Sequence, residues 1–143
     1  MDILKYQDEV QNLIHKIQKY RGADPQVVLD SCNSLEKYGK DLEDDGLIGF
    51  AQFSRGETYY LLNDVMKFYK EMISCMSLME QIGEWGYVVM ANNMLGIMSL
   101  NRGNAPFAMD YYLKALSICQ KYKLPNLEWI VNMNMGALYL NIE

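Results

Sequence analysis

The chain has 143 residues, 50% of them hydrophobic and 22% charged, which is enough apolar material for a domain with its own core and too much for a disordered chain. A formal charge of −5 at neutral pH argues against the clustered Lys and Arg of a nucleic-acid footprint, and no stretch approaches the roughly 18 consecutive apolar residues of a membrane span. Met1-Asp2-Ile3-Leu4-Lys5 lacks the basic and then apolar layout of a secretory signal, so a cytoplasmic location is expected.

The first helix is expected over 3–20, where His15, the only histidine, sits between Ile14 and Ile17 and takes a structural role. Arg21-Gly22-Ala23 makes a turn. Asp24 then offers a side-chain oxygen to the free N–H groups of a helix over 25–41, with Pro25 in its first turn. Further helices follow over 47–62, 65–81, 86–101, 105–122 and 126–141, separated at Asp44-Asp45-Gly46, Ile82-Gly83-Glu84, Arg102-Gly103-Asn104 and Leu124-Pro125-Asn126. The expected class is all-α.

A period of 40 organises these segments. Gly56, Gly96 and Gly136 fall in register inside helices, and the caps Asp24, Asp64 and Asn104 keep the same spacing. Downstream of the caps the apolar positions also repeat: Val28, Phe68, Ala108; Cys32, Met72, Tyr112; Leu35, Cys75, Ala115. A helical glycine costs about 1 kcal/mol relative to alanine, so three in register point to close approach of a second helix. Ala108 and Ala115 provide the small facing positions. The units are a first pair over 3–41, in which Lys16 replaces the glycine, a second over 47–81, a third over 86–122, and the first helix of an incomplete fourth over 126–141.

Asn92-Asn93-Met94-Leu95-Gly96, followed by Arg102-Gly103-Asn104 and by Ala108, Tyr112, Ala115 and Leu116, resembles a tetratricopeptide repeat. Asn134-Met135-Gly136-Ala137-Leu138-Tyr139 is similar to the first half of another. The resemblance implies a right-handed superhelical stack of antiparallel helix pairs, and its 40-residue spacing resembles arrays in bacterial signalling proteins, such as diguanylate cyclases and transcription regulators. It further implies a non-enzymatic domain binding a protein or peptide segment in a groove lined by the first helix of each pair. By register those positions are Phe50, Phe53, Glu57 and Tyr60, then Met90, Asn93, Ile97 and Asn101, then Ile130, Met133 and Ala137. Asn93 and Asn132 either grip a peptide backbone or bond a neighbouring turn.

Catalytic and metal constellations are missing from the sequence, and no cofactor is expected. It has no Gly-rich phosphate loop. Asp41, Glu43, Asp45 and Gly46 begin a calcium-loop pattern, but its twelfth position is Gln52 rather than a bidentate Glu. Cys32, Cys75 and Cys119 have no zinc spacing and read as core residues. Ten of the eleven methionines lie between Met66 and Met135, suited to filling a core or to an adaptable surface. In the last helix Trp129, Leu138 and Leu140 form a candidate interface, which either a missing partner helix of a longer protein or a second copy in a homodimer would cover.

Overall fold

Asp24, Asp44, Asp64 and Asn104 each accept a hydrogen bond from the backbone N–H three residues ahead, at 3.3, 3.0, 3.3 and 3.2 Å, and each begins a helix. In the computed structural model, which describes residues 2–142, the elements are a 3-10 turn at Ile3–Lys5 and the helices α1 (Asp8–Tyr20), α2 (Pro25–Asp41), α3 (Asp45–Leu61), α4 (Val65–Gln81), α5 (Trp85–Asn101), α6 (Ala105–Tyr122) and α7 (Pro125–Ile142). The described residues contain no strand, so the protein is all-α. No described helix is long and apolar enough to cross a membrane.

From α2 onward the helices start at Pro25, Asp45, Val65, Trp85, Ala105 and Pro125, one every twenty residues. The joints repeat as well. Glu43, Asn63, Gly83, Gly103 and Lys123 all have positive φ, between 52° and 76°. Where the helices ending at Asp41, Leu61, Asn101 and Tyr122 stop, a backbone N–H reaches back five residues: Asp44 to Gly39 O, Asp64 to Tyr59 O, Asn104 to Ser99 O and Leu124 to Cys119 O, at 2.8–2.9 Å. This left-handed cap satisfies carbonyls that the helix end leaves open. Left-handed backbone costs a side chain other than glycine roughly 1–2 kcal/mol. Glu43→Gly and Lys123→Gly are therefore expected to stabilise the chain by about 0.5–1 kcal/mol each in urea unfolding, after the added flexibility of the unfolded chain is subtracted. Asn63→Gly should gain less, because asparagine tolerates this conformation. Equal losses at all three positions would contradict the argument.

Two helix starts differ from the sequence expectation by two residues or more, and those of α5 and α7 by one. The segment 3–20 is not one helix: Tyr6 and Gln7 are extended, and α1 begins only at Asp8. The break lets the Tyr6 hydroxyl donate to Asp44 Oδ2 at 2.6 Å, while Gln11 Nε2 donates to Tyr6 O at 2.6 Å. Asp8 and Glu9 in the first turn then complement the positive end of α1. The third helix starts at Asp45 rather than 47, because Asp44 is its cap.

The chain forms two compact units, one up to Ile82 and one from Gly83 onward. In the first, α2 packs against α1 and α3, and α3 packs against α2 and α4; turns of three or four residues make successive neighbours antiparallel. Its core includes Ile14, Leu35, Leu47, Phe68 and Met72, all fully buried, each contributing roughly 1.5–3 kcal/mol of transfer free energy. In the second, α6 packs against α5 and α7, which also meet each other. Tyr112, Val89, Val131 and Leu138 share the core there with Ala108 and Ala115. Trp85 stacks on Tyr122, their ring centroids 4.4 Å apart, and holds the start of α5 to the end of α6.

Gly56 and Gly96 sit where the next helix presses closest. A methyl group on Gly56 would lie 2.8 Å from Met72 Cε, and one on Gly96 would lie 2.7 Å from Tyr112 Cδ1 and 2.9 Å from Cζ. Gly136 differs. Nothing lies within 4 Å of the corresponding position.

Candidate functional site

The expected groove positions separate into three groups. Phe50 and Phe53 are not surface residues: they are 8% and 4% exposed, because α3 is packed by α2 on one side and α4 on the other. Glu57 and Tyr60 are half-buried; Glu57 accepts a hydrogen bond from Arg21 at 2.5 Å, and the Tyr60 ring lies 5.8 Å from Phe68. In the second unit Met90, Asn93 and Ile97 are half-buried, whereas Asn101, Ile130, Met133 and Ala137 are exposed. Asn134 Nδ2 donates to Asn93 Oδ1 at 2.8 Å, so Asn93 bridges α5 and α7. Asn132 points into solvent.

Sequence reasoning missed a polar centre in the first unit. Arg55 is charged yet only 8% exposed, on a helix whose buried positions are otherwise mostly apolar or small. Its guanidinium donates through Nε and Nη2 to both carboxylate oxygens of Glu71, at 2.8 and 3.0 Å, and through Nη1 to Glu36 at 2.9 Å and Asn33 at 3.0 Å. The group joins α2, α3 and α4. The available signal was Arg55 standing directly before Gly56, the glycine that marks the packed face of α3, with a carboxylate at Glu71 directly before Met72, which covers it.

Burial works to raise the pKa of Glu36, but the hydrogen bond and charge of Arg55 overcome it and hold the carboxyl below its usual 4.5. Burial likewise opposes ionisation of Asp44, and the Tyr6 hydroxyl and Leu47 N–H overcome it, leaving that group below its usual 3.8. For both, the folded pKa lies below the unfolded one. Their stabilisation is therefore fully present above the unfolded pKa values and is lost as pH falls through the folded ones. The melting temperature should fall as acid is added below about pH 4.5. Glu36→Gln should flatten that decline, and an unchanged acid limb would show that the carboxylate carries none of it.

None of the cysteines offers a thiolate. Burial pushes Cys32 and Cys75 up to about 12 and also raises Cys119. Among the described residues no three His, Cys, Asp or Glu side chains come together to hold a metal ion.

The open surface is on α7. One side of this helix is inside the core, through Val131 and Leu138, with Leu127 and Met135 packed against it. Leu138, expected at an interface, is thus fully buried; it lies seven residues from Val131 and so shares its face. The other side is also apolar and is uncovered: Trp129 is 64% exposed, Met133 52% and Leu140 75%, with Gly136 exposed between them. Trp129, Met133, Gly136 and Leu140 are spaced by four, three and four, which is one continuous helical stripe. Ile130, Ala137 and Tyr139 widen it.

The same stripe on α3 and α5 lies eighty residues and forty residues away along the chain, respectively. On α3, Gly49, Phe53, Gly56 and Tyr60 are its members, and Met79, Met72 and Phe68 of α4 reach Gly49, Gly56 and Tyr60. On α5, Tyr112 of α6 covers Gly96. A surface of this kind offers shape and apolar area rather than reactive groups. No protein-family model matches the chain, and no curated protein matches it.

Proposed function

We propose that the chain is a non-enzymatic scaffold of the tetratricopeptide type that binds protein segments, and that its docking surface is the open stripe of α7. Gly56 and Gly96 each lie under a large side chain of the following helix, while Gly136 lies under none. This difference supports the reading most directly. A helix laid on α7 as α6 lies on α5 would place a methionine or aromatic residue over Gly136, with small residues on either side. The partner is therefore an amphipathic helix of a protein or peptide, recognised through apolar anchors at helical spacing. The likeness of the 40-residue spacing to arrays of bacterial signalling proteins further supports a regulatory role within such a protein.

A peptide with the sequence of residues 105–122 is a suitable probe, since α6 covers α5 in the required register. In a Trp85→Phe background, titration with this peptide should shift Trp129 emission to the blue, saturably, and Met133→Asp should abolish the shift while circular dichroism stays unchanged. No saturable shift, or the same shift in Met133→Asp, would remove α7 from the proposal. The mixture of bulky residues with Gly136 and Ala137 also suits a second copy of α7. A dimer in sedimentation experiments that Met133→Asp converts to monomer would favour that second reading.

A further inference from the structure

In the first unit α1 and α2 do not close against each other as α3 and α4 do. A groove of about 620 Å³ runs between them, bounded by Glu9, Leu13, Lys16 and Tyr20 of α1 and by Ser34 and Tyr38 of α2. Glu9, Leu13, Lys16 and Tyr20 occupy the register of Gly49, Phe53, Gly56 and Tyr60. The two glycines that let Met79 and Met72 approach α3 are thus replaced on α1 by long charged side chains. α1 instead buries Val10, Ile14 and Ile17, and its Glu9–Tyr20 face stays open.

The lining has a definite chemistry. Leu13 and the rings of Tyr20 and Tyr38 give the groove an apolar floor, since all three are half-buried. The one carboxylate, Glu9, is engaged by the Tyr38 hydroxyl. Lys16 has no hydrogen bond or ion pair among the described residues, and Lys19 has its ammonium 5.4 Å from the Tyr20 ring centroid. Asn12 and Ser34, also on the lining, keep their hydrogen-bonding groups open among the described residues. Two lysines therefore leave an excess of positive charge in this groove on a chain whose net charge is −5.

We propose that the α1–α2 groove is a second binding site, separate from the α7 stripe, for a short acidic peptide segment carrying one aromatic side chain. The volume is within the 300–1,000 Å³ usual for ligand sites. The eleven residue steps from Glu9 to Tyr20 span about 16 Å, the length of about five extended residues. The aromatic side chain lies against Leu13 and between the two tyrosines, the acidic groups face Lys16 and Lys19, and Asn12 and Ser34 meet the peptide backbone. An uncharged ligand would leave the lysines without use.

The test uses an acetylated pentapeptide with a central phenylalanine flanked on each side by two aspartates, and counterparts with asparagine or lysine in place of aspartate. It is titrated into the full chain and followed by amide nuclear magnetic resonance. Saturable shifts confined to α1 and α2 are expected, weakened by salt, with binding about tenfold weaker or worse for the asparagine peptide and for the Lys16→Glu, Lys19→Glu double variant. Both lysines are exposed, so that variant keeps its fold, which circular dichroism checks. Absence of saturable shifts, equal binding of the lysine peptide, or shifts confined to residues after Ile82 would overturn the proposal. Because α7 lies in the other unit, a failure here leaves the Trp129 titration unaffected.

Discussion

Gly96→Ala should lower the melting temperature and Gly136→Ala should raise it, although the two glycines occupy the same place in their helices. Alanine gains about 0.5–1 kcal/mol of helix stability at either position through lower backbone entropy. At Gly96 that gain is outweighed. The new methyl group meets the ring of Tyr112, itself 1% exposed, and overpacking of this kind typically costs about 1–3 kcal/mol. The net loss expected is about 1–2 kcal/mol. At Gly136 the methyl group enters open space, so the gain remains. The two variants should therefore differ by about 2–3 kcal/mol, or roughly 5–10 °C in melting temperature, by calorimetry of both proteins. Changes of the same sign would show that the register of the glycines does not govern their packing.

A larger loss is expected when Arg55 becomes methionine. Methionine replaces the stem but leaves Glu36 and Glu71 facing each other with side chains only 21% and 14% exposed. Removing one partner from a buried ion group usually costs about 3–5 kcal/mol, most of it from the uncompensated charge that remains. Two features identify the charge as the cause. Adding Glu36→Gln and Glu71→Gln to Arg55→Met should recover a large part of the loss, and Arg55→Lys should not restore it, since an ammonium cannot meet both oxygens of Glu71 in plane while reaching Glu36 and Asn33. Urea midpoints of the four proteins measure this. A loss below about 1 kcal/mol in Arg55→Met would show the carboxylates to be solvated.

The helices were legible because seventeen-residue segments stand between recognisable caps. Pro25 behind Asp24 and Asn104 after Gly103 leave little freedom of assignment. The twenty-residue step was hidden, since only Gly83 and Gly103 of the five left-handed joints from Glu43 to Lys123 carry glycine; Glu43 and Lys123 adopt the conformation against their preference. The split of the first segment was hidden too, because it depends on Tyr6 reaching Asp44, 38 positions away.

At the candidate site the limit was rotation of the helix. Register located α3 as a groove helix and so brought forward Phe50 and Phe53, but a helix covered on two sides buries what a helix covered on one side exposes. For α7, apolar residues surround the whole helix, and periodicity alone cannot distinguish its buried Leu138 from its exposed Leu140. The charged positions on α1 were visible only as a missing glycine at Lys16; that they leave a groove follows from the packing of α1 through Val10, Ile14 and Ile17.

The regular step also sets how such a chain grows. In the unit from Gly83 onward, twenty residues reverse the direction of the chain and forty restore it, so a tandem duplication of residues 85–124 inserted in register would present α7 with the same neighbours it has now. A twenty-residue duplication would bring the wrong face of every later helix inward. Gene-level lengthening of this fold is therefore confined to even steps, and a protein built on it gains or loses binding surface in whole pairs.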